Sequence, residues 1–136
     1  MHEVNLQIGD QFSTGKQITD AVVRAFAELS GDYNPIHLDE EFAKTTQFKK
    51  RIAHGMISGA LISAVLGYKF KERRVVYLSQ TLKFVAPVFL DDTITATATV
   101  TNIREDKPIV TLETVCTNQN GETVVKGEAA VMILPE

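Results

Sequence analysis

The sequence predicts an α+β domain in which a curved antiparallel sheet wraps around one long central helix. Two observations carry this. Residues 19–67 follow a helical pattern that closes on a segment apolar on nearly every side. Residues 75–134 then alternate in β-branched stretches separated by turn signals, enough for three long strands. A helix without a polar face has to be covered, and the following sheet supplies the cover. At 136 residues the chain makes a single domain, 1–136, with room for a proper core.

Thr19 or Asp20 caps the first helix, which places Val22, Val23, Phe26, Ala27 and Ser30 on one side. Gly31 stops it, because glycine enters the left-handed region without a Cβ clash. Asn34 caps a second helix, with Pro35 where no N–H is missed. That helix is expected to run to about Lys44, with Asp39, Glu40 and Glu41 as a solvated acidic start that the helix dipole favours. Residues 45–51 read as a loop. The central helix follows over about 55–67, where Gly55, Gly59, Ser63 and Gly67 form a stripe of small side chains. Such a stripe suits close backbone contact, with the sheet or with a second copy, and also a tunnel for a slender ligand. Residues 75–85 read as one strand. Residues 93–101 alternate strictly, and their apolar face beside an open sheet edge invites pairing with a second copy. Residues 105–108 turn the chain into a strand over 109–117. Asn120-Gly121 marks a second hairpin suited to positive φ, and the last strand spans about 123–134.

Composition excludes several functions. A net charge of −3 without a basic cluster argues against a nucleic-acid surface. No apolar run reaches membrane-spanning length, and Met1-His2-Glu3-Val4-Asn5 lacks the basic start of a leader. Cys116 is the single cysteine, so no internal disulfide forms, and its strand context makes it a structural thiol suited to a reducing cytoplasm. The three histidines lack paired ligand spacing and no Gly-rich phosphate loop follows a strand, so neither metal nor cofactor is expected.

The most informative stretch is Ser30-Gly31-Asp32-Tyr33-Asn34-Pro35-Ile36-His37-Leu38-Asp39. It sets a carboxylate, Asp32, and an imidazole, His37, on either side of a forced turn, as an acid/base pair requires. Asn34 is a helix cap that also fixes the loop carrying Asp32. His54 reads as structural, since it precedes the central helix rather than facing the pair. Ser63 is either a hydroxyl bonded to its own helix or a partner that orients Asp32.

The run 32–39, followed by Ala53-His54-Gly55-Met56 at the start of an apolar helix, resembles the MaoC-like (R)-specific enoyl-CoA hydratases, the hydratase 2 family. The resemblance extends from the first strand to the closing Gly127-Glu128-Ala129 strand. It implies the hot-dog fold, with a helical overhang carrying the active site, assembled as a homodimer or a dimer of dimers. It implies addition of water to trans-2-enoyl-CoA to give (R)-3-hydroxyacyl-CoA, with no cofactor. Asp32 and His37 match the catalytic pair, and the Gly55 N–H matches the group that binds the thioester oxygen. On that reading Leu66 closes the far end of an acyl tunnel, with Val131 a second wall residue, and chains of about four to six carbons are favoured. The loop residues Lys49, Lys50 and Arg51 are either solvated or meet coenzyme A phosphates. An acyl-carrier-protein dehydratase or an acyl-CoA thioesterase is the alternative within enzymes. Residues 55–67 contain no acid, which counts against a thioesterase. A non-catalytic acyl-thioester binding module would not need both Asp32 and His37.

Overall fold

The computed structural model describes residues 5–69 and 74–134. Residues Met1–Val4, on which the reading of a missing leader rests, lie outside the described residues. The elements run β1 (Gln11–Gln17), α1 (Asp20–Ser30), α2 (Pro35–Leu38), α3 (Glu40–Ala43), α4 (Gly55–Lys69), β2 (Arg74–Gln80), β3 (Lys83–Phe84), β4 (Thr93–Ile103), β5 (Ile109–Thr117) and β6 (Thr123–Leu134). The sheet order is β1-β4-β5-β6-β2, every pair is antiparallel, and β3 pairs with β6.

The caps act as expected. Thr19 Oγ1 accepts from the Val22 N–H at 3.3 Å. Gly31 sits at φ 81° and its N–H closes α1 on the Ala27 carbonyl at 2.8 Å. α4 carries the apolar surface and packs against β1, β4 and β5, so it is the covered central helix. Ile57, Ile62, Val65 and Leu66 join Ile94, Val100, Leu112 and Val131 in one core. Cys116 lies in that core with its S–H toward the Ser58 carbonyl at 3.6 Å, and burial pushes its thiol up to about 11. A structural thiol is what remains.

Four elements depart from the expectation. The second helix breaks into α2 and α3 at Asp39, which is extended (φ −116°, ψ 107°) and caps α3 by accepting from the Phe42 N–H at 3.1 Å. A short acidic side chain that can bond its own backbone competes with helix continuation. The strand over 75–85 divides into β2 and β3, with a register shift between Tyr77 and Ser79. The chain passes very close to β6 there: a Cβ on Gly127 would fall 1.8 Å from the Thr81 carbonyl oxygen. In the hairpin only Gly121 takes positive φ, while Asn118 Oδ1 accepts from the Asn120 and Glu122 N–H groups at 3.0 Å each. β4 is not an open edge, because β1 pairs along it from Thr93 to Thr99. β1 itself, Gln-Phe-Ser-Thr-Gly-Lys-Gln, is mostly polar and gives no alternating apolar signal. The sheet edges are therefore β1 and β2. Among the described residues, no helix is long and apolar enough to cross a membrane.

Candidate active site

A relay of short side-chain bonds shapes the turn after α1. The Ser30 hydroxyl donates to the Phe26 carbonyl at 2.7 Å and accepts from the Asp32 N–H at 3.1 Å. Asp32 Oδ1 accepts from the Asn34 N–H at 3.2 Å, and Asn34 Oδ1 accepts from the Ile36 N–H at 3.1 Å. Polar residues that satisfy turn and cap donors thus hold the carboxylate of Asp32 at the surface. Asn34 is the N-cap of α2, as its type and the following proline imply.

α2 buries His37, which is 9% exposed. Its Nδ1 lies 2.7 Å from the Ile52 carbonyl oxygen. A carbonyl only accepts, so Nδ1 carries the proton and Nε2 keeps its lone pair in the neutral ring. Burial holds the His37 imidazole below its ordinary pKa; the Ile52 carbonyl opposes this, His54 adds to it, and Asp32 opposes it. A neutral base is the result. Asp32, His37 and His54 each offer one oxygen or nitrogen atom, and these lie within 4.8 Å of one another. Spacing along the chain does not reveal this grouping.

Arg51 ties the site to α1. Its Nε donates to the His37 carbonyl at 2.7 Å and its Nη2 pairs with Asp20 at 2.6 Å, with the side chain only 11% exposed. The Arg51 guanidinium is the main cause that lowers the Asp20 carboxyl. Arg51 is thus an internal strut and not a phosphate ligand. Lys50 lies over the Phe89 ring at 4.4 Å from its centroid. A lysine-arginine run gives no sign of which member turns inward.

Gly55 opens α4 and contributes one of the N–H groups that a helix start leaves without an intrahelical acceptor. A Cβ on Gly55 would sit 2.7 Å from the Phe84 ring, so any larger residue there would push that ring aside. Gly55 and His37 together line an apolar cavity of about 520 Å³ whose other walls include Phe48, Met56, Phe84, Val85 and Pro87. The structure therefore brings Asp32, His37 and Gly55 to one place.

Three residues expected at the site stand elsewhere. Ser63 is exposed, and among the described residues no hydrogen bond joins it to Asp32; Ser30 holds that loop instead. Eight residues beyond Gly55 the helix has turned by about 80° away from it. Leu66 is 2% exposed and lies about 16 Å along the axis from Gly55, within the core. Val131 is fully buried on β6. Neither lines the cavity beside His37. Phe48 and Phe84, which do, were not singled out in sequence, because one sits in a loop and the other on a two-residue strand.

Residues 4–124 match the family model for the MaoC-like domain. The chain is 46% identical over 129 residues to an (R)-specific enoyl-CoA hydratase of Rhodospirillum rubrum, covering 95% of this chain and 89% of that protein. It is 44% identical over 133 residues to an (R)-specific enoyl-CoA hydratase of Aeromonas caviae, covering 98% and 99%. The solved (R)-hydratase of A. caviae, a protein involved in PHA biosynthesis, superposes with a TM-score of 0.92 at 45% identity, over 98% of this chain and 100% of that one.

Proposed function

We propose a function from one premise: this chain belongs to the MaoC-like domain family and has its hot-dog fold. The protein is an (R)-specific enoyl-CoA hydratase, a hydro-lyase that adds water to short trans-2-enoyl-CoA thioesters. The single observation that carries the reading is that a neutral imidazole and a helix start line one apolar cavity, with a surface carboxylate within 4.8 Å of that imidazole. Its near-full-length identity to proteins of that activity supports it.

The enoyl chain enters the cavity beside Gly55. Its thioester oxygen accepts the Gly55 N–H, an interaction that strengthens as negative charge builds there, by about 3–4 kcal/mol. A water molecule sits between Asp32 and His37. It loses a proton to the pair as it adds to C3, and the pair returns a proton to C2. The two groups act on one water. The Ile52 carbonyl fixes the tautomer that leaves His37 Nε2 available, and Asn34 and Ser30 fix the loop of Asp32.

We assign the chain a single domain and a cytoplasmic location, with no cofactor beyond the carrier on the substrate. It assembles as a homodimer, alone or as half of a dimer of dimers. Val76, Tyr77 and Leu78 on the edge strand β2 are exposed, as are Met56 and Phe84 beside the cavity, a concentration of apolar surface that a second copy would cover. A spectrophotometric assay with crotonyl-CoA, followed by chiral analysis of the product, tests the function. Loss of enoyl absorbance with formation of (R)-3-hydroxybutyryl-CoA is expected; an (S) product, or no turnover, removes the reading.

A further inference from the structure

We propose that His54 is the positioning residue of this site, holding the Asp32 loop and the His37 ring in one fixed arrangement; the proposal rests on the hydratase reading above. Its Nε2 lies 2.9 Å from the Asp32 carbonyl oxygen. Since that oxygen only accepts, His54 donates through Nε2–H. Its ring stacks on His37, with centroids 3.8 Å apart and planes 29° apart. Phe26 of α1 also meets it, at 4.9 Å and a tilt of 54°. Gly55 follows it in the chain. One side chain thus touches the segment that bears the carboxylate and the ring that bears the base, and it directly precedes the helix start that binds the thioester oxygen.

Packing alone does not account for an imidazole here. His54 is 3% exposed, and its Nδ1 is buried without a hydrogen-bond partner among the described residues. A phenylalanine would fill the same slot between Phe26 and His37 without leaving an acceptor unsatisfied. What the imidazole adds is the Nε2–H bond to the Asp32 carbonyl. The charged and titratable groups around His37 are Asp32, His54 and Arg51, the last with its partner Asp20. The wall from Phe84 to Val88 carries no ionisable side chain. Misplacement of reacting groups by about 1 Å costs about a hundredfold in rate, so loosening one of two clamps on the turn belongs below that scale.

The test is His54→Phe, which keeps a ring in the stack and removes the donor. With crotonyl-CoA, kcat should fall at least about tenfold while KM stays within about threefold. His54→Gln, whose side-chain amide still donates, should recover part of the lost kcat, because it restores a donor to the Asp32 carbonyl. A kcat within threefold of wild type, or a fall that His54→Gln does not partly reverse, overturns the proposal, because a purely structural histidine acts through stability and not through a donor to the Asp32 carbonyl. Should the variant fail to fold, long-range ¹⁵N–¹H correlation on the wild-type protein decides the matter. The Nε2–H tautomer of His54 is expected, and the Nδ1–H tautomer overturns the clamp. Wild-type protein inert toward crotonyl-CoA would remove the hydratase reading and this proposal with it, whereas an active wild type with an unaffected variant removes only the role of His54.

Discussion

At the residue scale, what matters is the protonation state of one buried ring. His37 is neutral because burial disfavours its charge, and its working nitrogen is selected by the bond from Nδ1 to Ile52. Asp32→Asn and His37→Gln should each fold and lose at least about a hundredfold in kcat. The double variant should be little worse than either single one, since both groups act on one water. Near-normal turnover in either single variant would break the assignment. The lowered pKa of His37 also has a stability consequence. The unfolded chain takes up a proton near 6.5 that the folded chain resists. The contribution of the neutral ring is therefore in place above about 6.5 and is lost as pH falls from there through the lowered folded value. Urea titrations across this range should show stability falling with pH in wild type and a smaller slope in His37→Gln. Leu66 belongs to the same scale. Because it is core and not cavity wall, Leu66→Ala should cost about 2–5 kcal/mol in unfolding free energy. The ratio of activity on eight-carbon and four-carbon enoyl-CoA should stay flat, and a rise in that ratio would return Leu66 to the acyl tunnel.

At the element scale, the site depends on short pieces that the chain bends sharply to make. α2 has four residues and α3 has four, separated by Asp39 acting as C-cap of one and N-cap of the other. Arg51 then bridges from the His37 carbonyl to Asp20, joining α2 to α1. On the far side of the cavity, β3 carries Phe84 against Gly55, and it stands there because the chain after β2 stays paired along β6 and passes close to Gly127. Gly127→Ala tests this close approach. With a Cβ 1.8 Å from the Thr81 oxygen, backbone has to move, and a loss of about 3 kcal/mol or more is expected in chemical denaturation. Gly59→Ala is the control. Its Cβ would meet Leu82 at 3.2 Å, a side-chain tip that can give, and alanine favours the helix, so the change should be small. Equal effects at the two glycines would contradict Gly127 as the tight point.

At the scale of the whole molecule, the sheet leaves one edge with apolar side chains facing solvent. β2 exposes Val76, Tyr77 and Leu78, whereas the opposite edge, β1, is largely polar. Light scattering should give twice the 15.0 kDa chain mass or a multiple of that. Leu78→Lys should shift the distribution toward monomer, because a charge on an edge strand opposes edge pairing. An active wild-type monomer would remove the dimer from the account.

Much of this protein is determined by local signals, because caps, turns and periodicity act within a few residues. Thr19, Gly31 and Asn34-Pro35 place the helix ends, strict alternation marks β4, and turn signals set off β5 and β6. The same locality made Asp32 and His37 legible as a pair, since they stand only five positions apart across the turn. Tertiary structure decided the rest. The polar strand β1 has no apolar face to announce it, yet it covers β4 because an unpaired ladder needs a partner. Arg51 and His54 become parts of the site only when α1, α2 and the start of α4 converge, bringing together groups up to 31 residues apart. Ser63 shares a sequence stripe with Gly55 and Leu66 stands near the same face, but one is exposed and the other lies in the core. Spacing along a helix states which residues share a side; only the packing of that side against the sheet states whether it meets a ligand.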